Sequence, residues 1–259
     1  MVGKTISFLK ELYLMDIGTI LEYRFNFLAQ SIGMIINDLF WIFFWFLLFQ
    51  NFGNIGGWQF EEMMLLYSII VTSFGFVSIT LANFDGLVNL IENGGLDYYL
   101  TLPKNVWLHS MIKIRYSGAG DFVLGIIIAS LTITFKQIPL FLILIICSSL
   151  IFLGWFTLMN SIAFFAGRFE TAAEVARTSL VTLAMYPFSV YSGLTKFVLL
   201  VIIPAGFVGG IPVELLTNFS AKWFIATIIF SIVFFALGLF MFYKGLKKYE
   251  SGNAIIMRG

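Results

Sequence analysis

The sequence predicts an all-α integral membrane protein with six transmembrane helices, an N-terminal interfacial helix and a re-entrant hairpin before the last span. Three observations carry this. The 259 residues are 60% hydrophobic and 11% charged, with a mean hydropathy of +0.97, whereas soluble domains are roughly one-quarter charged. Such a chain cannot cover its own surface with polar groups, so lipid is its solvent. Apolar runs near the roughly 20 residues that cross a bilayer recur along it. The basic residues between those runs fall mostly on one side.

Taken in order, residues 1–26 read as a helix lying in the interface plane. Phe8, Leu9, Leu12, Tyr13, Ile17, Ile20 and Leu21 recur at helical spacing, while Lys4, Lys10, Glu11 and Glu22 keep the opposite side polar. This segment lacks the long apolar core and small-residue cleavage site of a secretory leader. Spans are predicted at 27–49, 63–84, 117–135, 140–166, 178–195 and 223–243. The run 197–213 is broken by Pro204, Gly206, Gly209, Gly210 and Pro212, too many breakers for one straight helix.

Charge fixes the predicted sides. Lys4, Lys10, Arg24, Lys104, Lys113, Arg115, Arg168, Arg177, Lys244, Lys247, Lys248 and Arg258 fall on one side, against Lys136, Lys196 and Lys222 on the other. This positive-inside bias predicts a multi-pass protein of the cytoplasmic membrane with both termini cytoplasmic. A full span over 197–213 would push the "KGLKK" tail outside. Residues 196–215 are therefore read as a re-entrant hairpin, which must be buried in protein because its irregular backbone cannot face lipid. The whole chain, 1–259, is one transmembrane domain, and its largest cytoplasmic loop covers 85–116.

That loop contains "NGGLDYYLTLP", residues 93–103. Asn93-Gly94 is a helix stop, a short helix can begin at Leu96, and Pro103 ends it. Leu96, Tyr99 and Leu100 fall on one predicted face, with Asp97, Tyr98 and Thr101 on the other. Such a helix can bury one face on the membrane domain and offer the other to a cytoplasmic partner.

"LIENGGLDYYLTLPKN" resembles the first cytoplasmic loop of ABC-2-type exporter permeases, whose pattern G-x-L-D-x-x-L-x-x-P is matched by Gly94 or Gly95, Leu96, Asp97, Leu100 and Pro103. "LEYRFNF", "IGGWQFEEMMLLY" and "MYPFSVY…VIIPAGFV" are similar to further segments of that family. The loop departs from the family in lacking arginines within "ENGGLDYYLTLP". The resemblance implies a half-transporter that pairs with a second permease subunit, the same or homologous. It would dock separate ABC ATPase subunits through a coupling helix built from Glu92, Gly94, Gly95, Leu96, Asp97, Tyr98, Leu100 and Pro103. The cargo would be a hydrophobic or amphipathic molecule such as a lipid, drug or peptide.

Other chemistries are restricted. No G-x-x-x-x-G-K-[ST] loop is present, so no ATPase site or cofactor is expected in this chain; ATP and Mg would sit on the partner. One cysteine, Cys147, and one histidine, His109, exclude disulfides and paired His or Cys metal sites, and a net charge of +1 carries no sign of nucleic acid binding.

Two acids lie at membrane depth. Asp38 follows Asn37 in a polar notch of the first span, and Asp121 has a candidate partner in Arg115. Each should face protein or water, because a charge at the bilayer centre costs about 3 kcal/mol. They could line a substrate cavity or proton path, or merely join helices. An ion-coupled secondary carrier using Asp38 and Asp121 is the alternative function. "GAGD", residues 118–121, also fits the G-x-G-D signature of intramembrane aspartyl proteases, but that family's Tyr-Asp partner motif is absent.

Overall fold

The computed structural model describes residues 2–250, with side chains from residue 7 onward. The Lys4 side chain, and residues 251–259 with Arg258, lie outside the described residues. Among the described residues all the regular structure is helical, with no strand.

α1 (Val2–Glu22) is separated from α2 (Arg24–Phe52) by a single turn residue, Tyr23. α3 (Phe60–Thr80) starts at a capping box. The Gln59 backbone N–H donates to Glu62 Oε2 at 2.9 Å, and the Gln59 side chain caps the Glu62 backbone in return. Every residue from Met63 to Ser73 is buried. A helix apolar on all sides belongs at the centre of a bundle, and α3 occupies it. It packs along α7 (Tyr116–Thr132) and α8 (Ile138–Ser161), while α2 lies on α7 and α13 (Ala221–Leu246) lies on α8. The outer helices show their position in their burial. Only 17% of the most apolar stretch of α2 and 22% of that of α13 is covered, against 78% for α3. Their uncovered Phe40, Phe43, Ile229, Ile232 and Phe240 need an apolar solvent.

Small residues let the inner helices touch. A β-carbon on Gly120 would strike the Ser31 carbonyl of α2, and one on Gly118 would strike Ser78 of α3. The glycines of "GAGD" are therefore contact points between backbones.

Four described helices are long and apolar enough to cross a membrane: α2, α3, the stretch Phe135–Ala166 containing α8 and the short α9 (Ala163–Ala166), and α13. The protein is a multi-pass membrane protein. α7 is apolar but shorter, at 17 residues, or about 25 Å at 1.5 Å per residue. The expected span 178–195 is not a continuous helix. α10 (Glu170–Ala184) stops just before Pro187, a 3₁₀ turn covers Phe188–Val190, and α11 (Gly193–Val201) starts afresh. Proline removes a helical hydrogen bond and clashes with the preceding turn, and the apolar composition of the window concealed that break.

From α11 the chain enters a π-helical turn, Gly206–Gly210, and continues into α12 (Ile211–Thr217). The two arms are bent by 75°. Pro204 through Val213 are all buried. The Ser148 hydroxyl on α8 donates to the Val208 carbonyl at 2.8 Å, and Gln137 Nε2 donates to the Leu216 carbonyl at 2.7 Å. Protein thus satisfies the irregular backbone, as hydrocarbon could not.

Candidate docking surface and the buried carboxyls

The segment between α3 and α7 is held at its neck. The backbone N–H of Ala82 donates to the Lys113 carbonyl at 3.0 Å, and that of Arg115 to the Ser78 carbonyl at 2.8 Å. Three short helices fill it: α4 (Leu87–Glu92), α5 (Leu96–Leu100) and α6 (Val106–Met111). Gly94 joins the first two at φ +77°, in the left-handed region where a side chain is costly, and Gly95 is the residue from which α5 begins. α5 ends at Thr101, ahead of Pro103.

On α5, Leu96 is fully buried and Tyr99 half-buried, while Asp97 and Tyr98 are exposed. Leu100, expected on the buried face, is 45% exposed. A helix of one turn cannot bring both ends of a face to the same surface, and Tyr99 fills the place against the bundle. Glu92, expected in the docking surface, instead accepts the Phe169 N–H at 2.6 Å. Beside it, Asn89 donates to Glu170 at 2.6 Å, so the end of α4 is tied to the start of α10.

Both sides of the loop are anchored to the bundle. The buried Trp107 indole of α6 donates to Thr157 of α8 at 3.1 Å, and its ring meets Phe235 of α13 edge-on. The Tyr243 hydroxyl donates to Asn105, whose side chain caps α6 by accepting the Leu108 N–H. Beyond the end of α13, Tyr249 lies beside Asp97; burial and that carboxylate push its hydroxyl up to about 12. On the other flank, His109 is packed edge-on between Phe8 of α1 and Tyr99, at ring-centroid distances of 4.8 and 5.0 Å. Burial lowers the His109 pKa, and the charge of Lys104 lowers it further. α1 is pinned to the same region. Tyr13 donates to the Thr80 carbonyl at 2.7 Å, and Asp16 accepts the Ile114 N–H at 3.0 Å.

The membrane-depth acids are arranged differently from the sequence expectation. Arg115 does not serve Asp121; its guanidinium is paired with Asp85, which also faces Arg177 at 3.5 Å. Arg177 in turn donates to Asn160 at 3.1 Å, and Asn160 donates to the Phe84 carbonyl. Asp38 and Asn37 do not form one notch either, because Asp38 is 1% exposed whereas Asn37 is exposed on the outer face of α2. Adjacent helical positions point about 100° apart, so only one of them could face inward. Asp38 accepts the Tyr67 hydroxyl of α3 at 2.9 Å, and Asp121 of α7, also 1% exposed, lies within hydrogen-bonding reach of Asp38. The hairpin residues meet the bundle closely. A β-carbon on Gly209 would press on Leu66 and Ile70 of α3; one on Gly206 or Gly210 would press on Phe188. Pro204 and Pro212 bracket this turn.

The family model for ABC-2 family transporter proteins matches residues 35–253. The chain belongs to the ABC-2 transporter family. No curated protein and no solved structure matched. Membership makes the chain a permease of ABC-type transport, a family that works with ABC ATPase partners.

Sequence reasoning missed several residues that organise this ABC-2 permease. Tyr67, Asp85, Asn160, Tyr243 and Tyr249 each make a contact to a residue distant in sequence. Only Asp85 left a usable signal, as an acid at the mouth of a loop whose other end carries Arg115.

Proposed function

We propose that this ABC-2 permease is the membrane subunit of an ATP-driven exporter that moves a hydrophobic or amphipathic molecule, such as a lipid, drug or peptide, across the cytoplasmic membrane. The observation that carries the reading is α5. Its buried side seats on the bundle through Leu96 and Tyr99, and its exposed side offers Asp97 and Tyr98. In this reading α5 is the coupling helix, and a separate ATPase subunit holds ATP and Mg, so this chain is not itself an enzyme. The segment 178–195, broken at Pro187, brings the spans to six, with residues 196–215 turning back as a re-entrant hairpin and both termini on the cytoplasmic side. A second permease subunit covers the outer face of α2. Exposed Asn37 supports that partner, since an amide in lipid favours a hydrogen-bonding neighbour on another helix.

A charged contact such as Asp97 could make is worth about 1.5–3 kcal/mol, and an exposed tyrosine is a typical interface anchor. Asp97→Ala with Tyr98→Ala should weaken association with the ATPase by about tenfold to a hundredfold and reduce transport-coupled hydrolysis in reconstituted vesicles. Because Tyr249 lies beside Asp97, Tyr249→Phe is the control for loss of that internal contact. Undiminished association and coupling in the double variant would remove the docking role.

The meeting of Asp38 and Asp121 favours one second reading, an ion-coupled carrier without an ATPase. Transport insensitive to vanadate but dependent on an ion gradient would select it.

A further inference from the structure

Asp38, Tyr67 and Asp121 come from three different helices and meet inside the bundle. Tyr67 is fully buried, and its hydroxyl is spent on Asp38 Oδ1. The other Asp38 oxygen and both oxygens of Asp121 meet no N–H or O–H donor of the protein, although both carboxyls are 99% buried. Asp121 is aimed at Asp38. Arg115, the charged group nearest along α7, is committed to Asp85 at the helix start; its charge is felt at Asp121 only from a distance, and no guanidinium or ammonium among the described residues forms an ion pair with either carboxyl. Two carboxylates side by side repel, and burial cuts both off from bulk solvent. A hydrogen bond between carboxyls exists only if one of them carries the hydrogen, since an ionised carboxylate is an acceptor alone.

We propose that Asp38 and Asp121 form a proton-binding site, with one proton shared between them and Tyr67 fixing Asp38 in place. The bound proton joins α2 to the α3–α7 pair. Its loss would leave two like charges at the seam where Gly120 abuts Ser31 and force the helices apart or admit water. The site follows from the three side chains and holds whether or not ATP drives transport.

Infrared spectroscopy of the purified full-length permease in lipid nanodiscs tests this. At neutral pH the wild type should show a protonated-carboxyl C=O band that shifts in D₂O, and Asp38→Asn/Asp121→Asn should lack it. Absence of the band in the wild type, or its persistence in the double variant, would overturn the site. A band that disappears when sodium replaces choline would assign the pair to a metal cation and overturn the proton. Should the double variant not fold, the wild-type band and its titration decide the matter alone.

Discussion

His109 is a residue whose protonation the fold opposes. Phe8 comes from α1, Tyr98 and Tyr99 from α5, and Lys104 from the loop before α6, leaving an aromatic cage with a cation nearby and no facing carboxylate among these neighbours. The folded pKa lies below the ordinary value of 6.5, so the unfolded chain binds the proton first as pH falls. The stability that neutral His109 contributes is therefore intact above about 6.5 and is lost as the pH drops below it. Melting temperatures measured in detergent down to mildly acidic pH should decline in the wild type and decline less steeply in His109→Phe. Equal slopes would show that the cage does not respond to protonation. The sequence displayed a lone histidine, but its neighbour Phe8 lies on a different helix. No local pattern links the two.

At the scale of elements, legibility followed the length of the apolar runs. α2, α3, α8 and α13 were all readable because a long hydrophobic stretch without breakers has few other fates. The short α5 was readable for another reason: the chain changes chemistry abruptly at Asn93-Gly94 and at Pro103. The break in the expected span 178–195 was not legible, because a hydropathy window averages over Pro187 and cannot register one lost hydrogen bond. The hairpin is the counter-case, where clustered breakers announced irregular backbone but not its seat. That seat is the groove made by Leu66 and Ile70 of α3 with Phe188. Gly209→Leu together with Gly210→Leu would place two side chains where no space exists, and overpacking of this kind costs about 1–3 kcal/mol per site. Transport should be lost while ATPase association through α5 is kept, as measured by export from vesicles alongside pull-down. Normal transport at normal abundance would mean that the turn yields freely and that its tight packing is not needed for transport.

At the scale of the whole molecule, one bundle carries three polar systems stacked along it. Asp97 and Tyr98 lie on the loop surface, Asp85 with Arg115 and Arg177 form the layer beneath, and Asp38 with Tyr67 and Asp121 sit within the spans. The side of the membrane proposed for each rests on the charge bias of the sequence, twelve basic residues against three. Arg115 and Arg177 complicate that count, since both are engaged with Asp85 rather than lying free at the surface. The remaining basic residues still favour the same orientation. In a Cys147→Ser background, cysteines at Asn54 and Asn218, both exposed at the ends of α2 and α12, should react with an impermeant thiol reagent added outside intact cells. Cysteines at Thr101, Arg168 and Lys247 should react only after permeabilisation. Thr101 and Arg168 sample the two connections that Glu92 ties together, so they must agree with each other. Lys247 carries the decision on the hairpin. If α11 and α12 turn back without crossing, the end of α13 lies on the same side as α5. Labelling at Lys247 from outside, with Thr101 still protected, would make the bent pair a true crossing and place the end of α13 opposite the docking surface. Tyr249 beside Asp97 and Tyr243 bonded to Asn105 argue against that outcome, because each ties the end of α13 to the loop that carries α5.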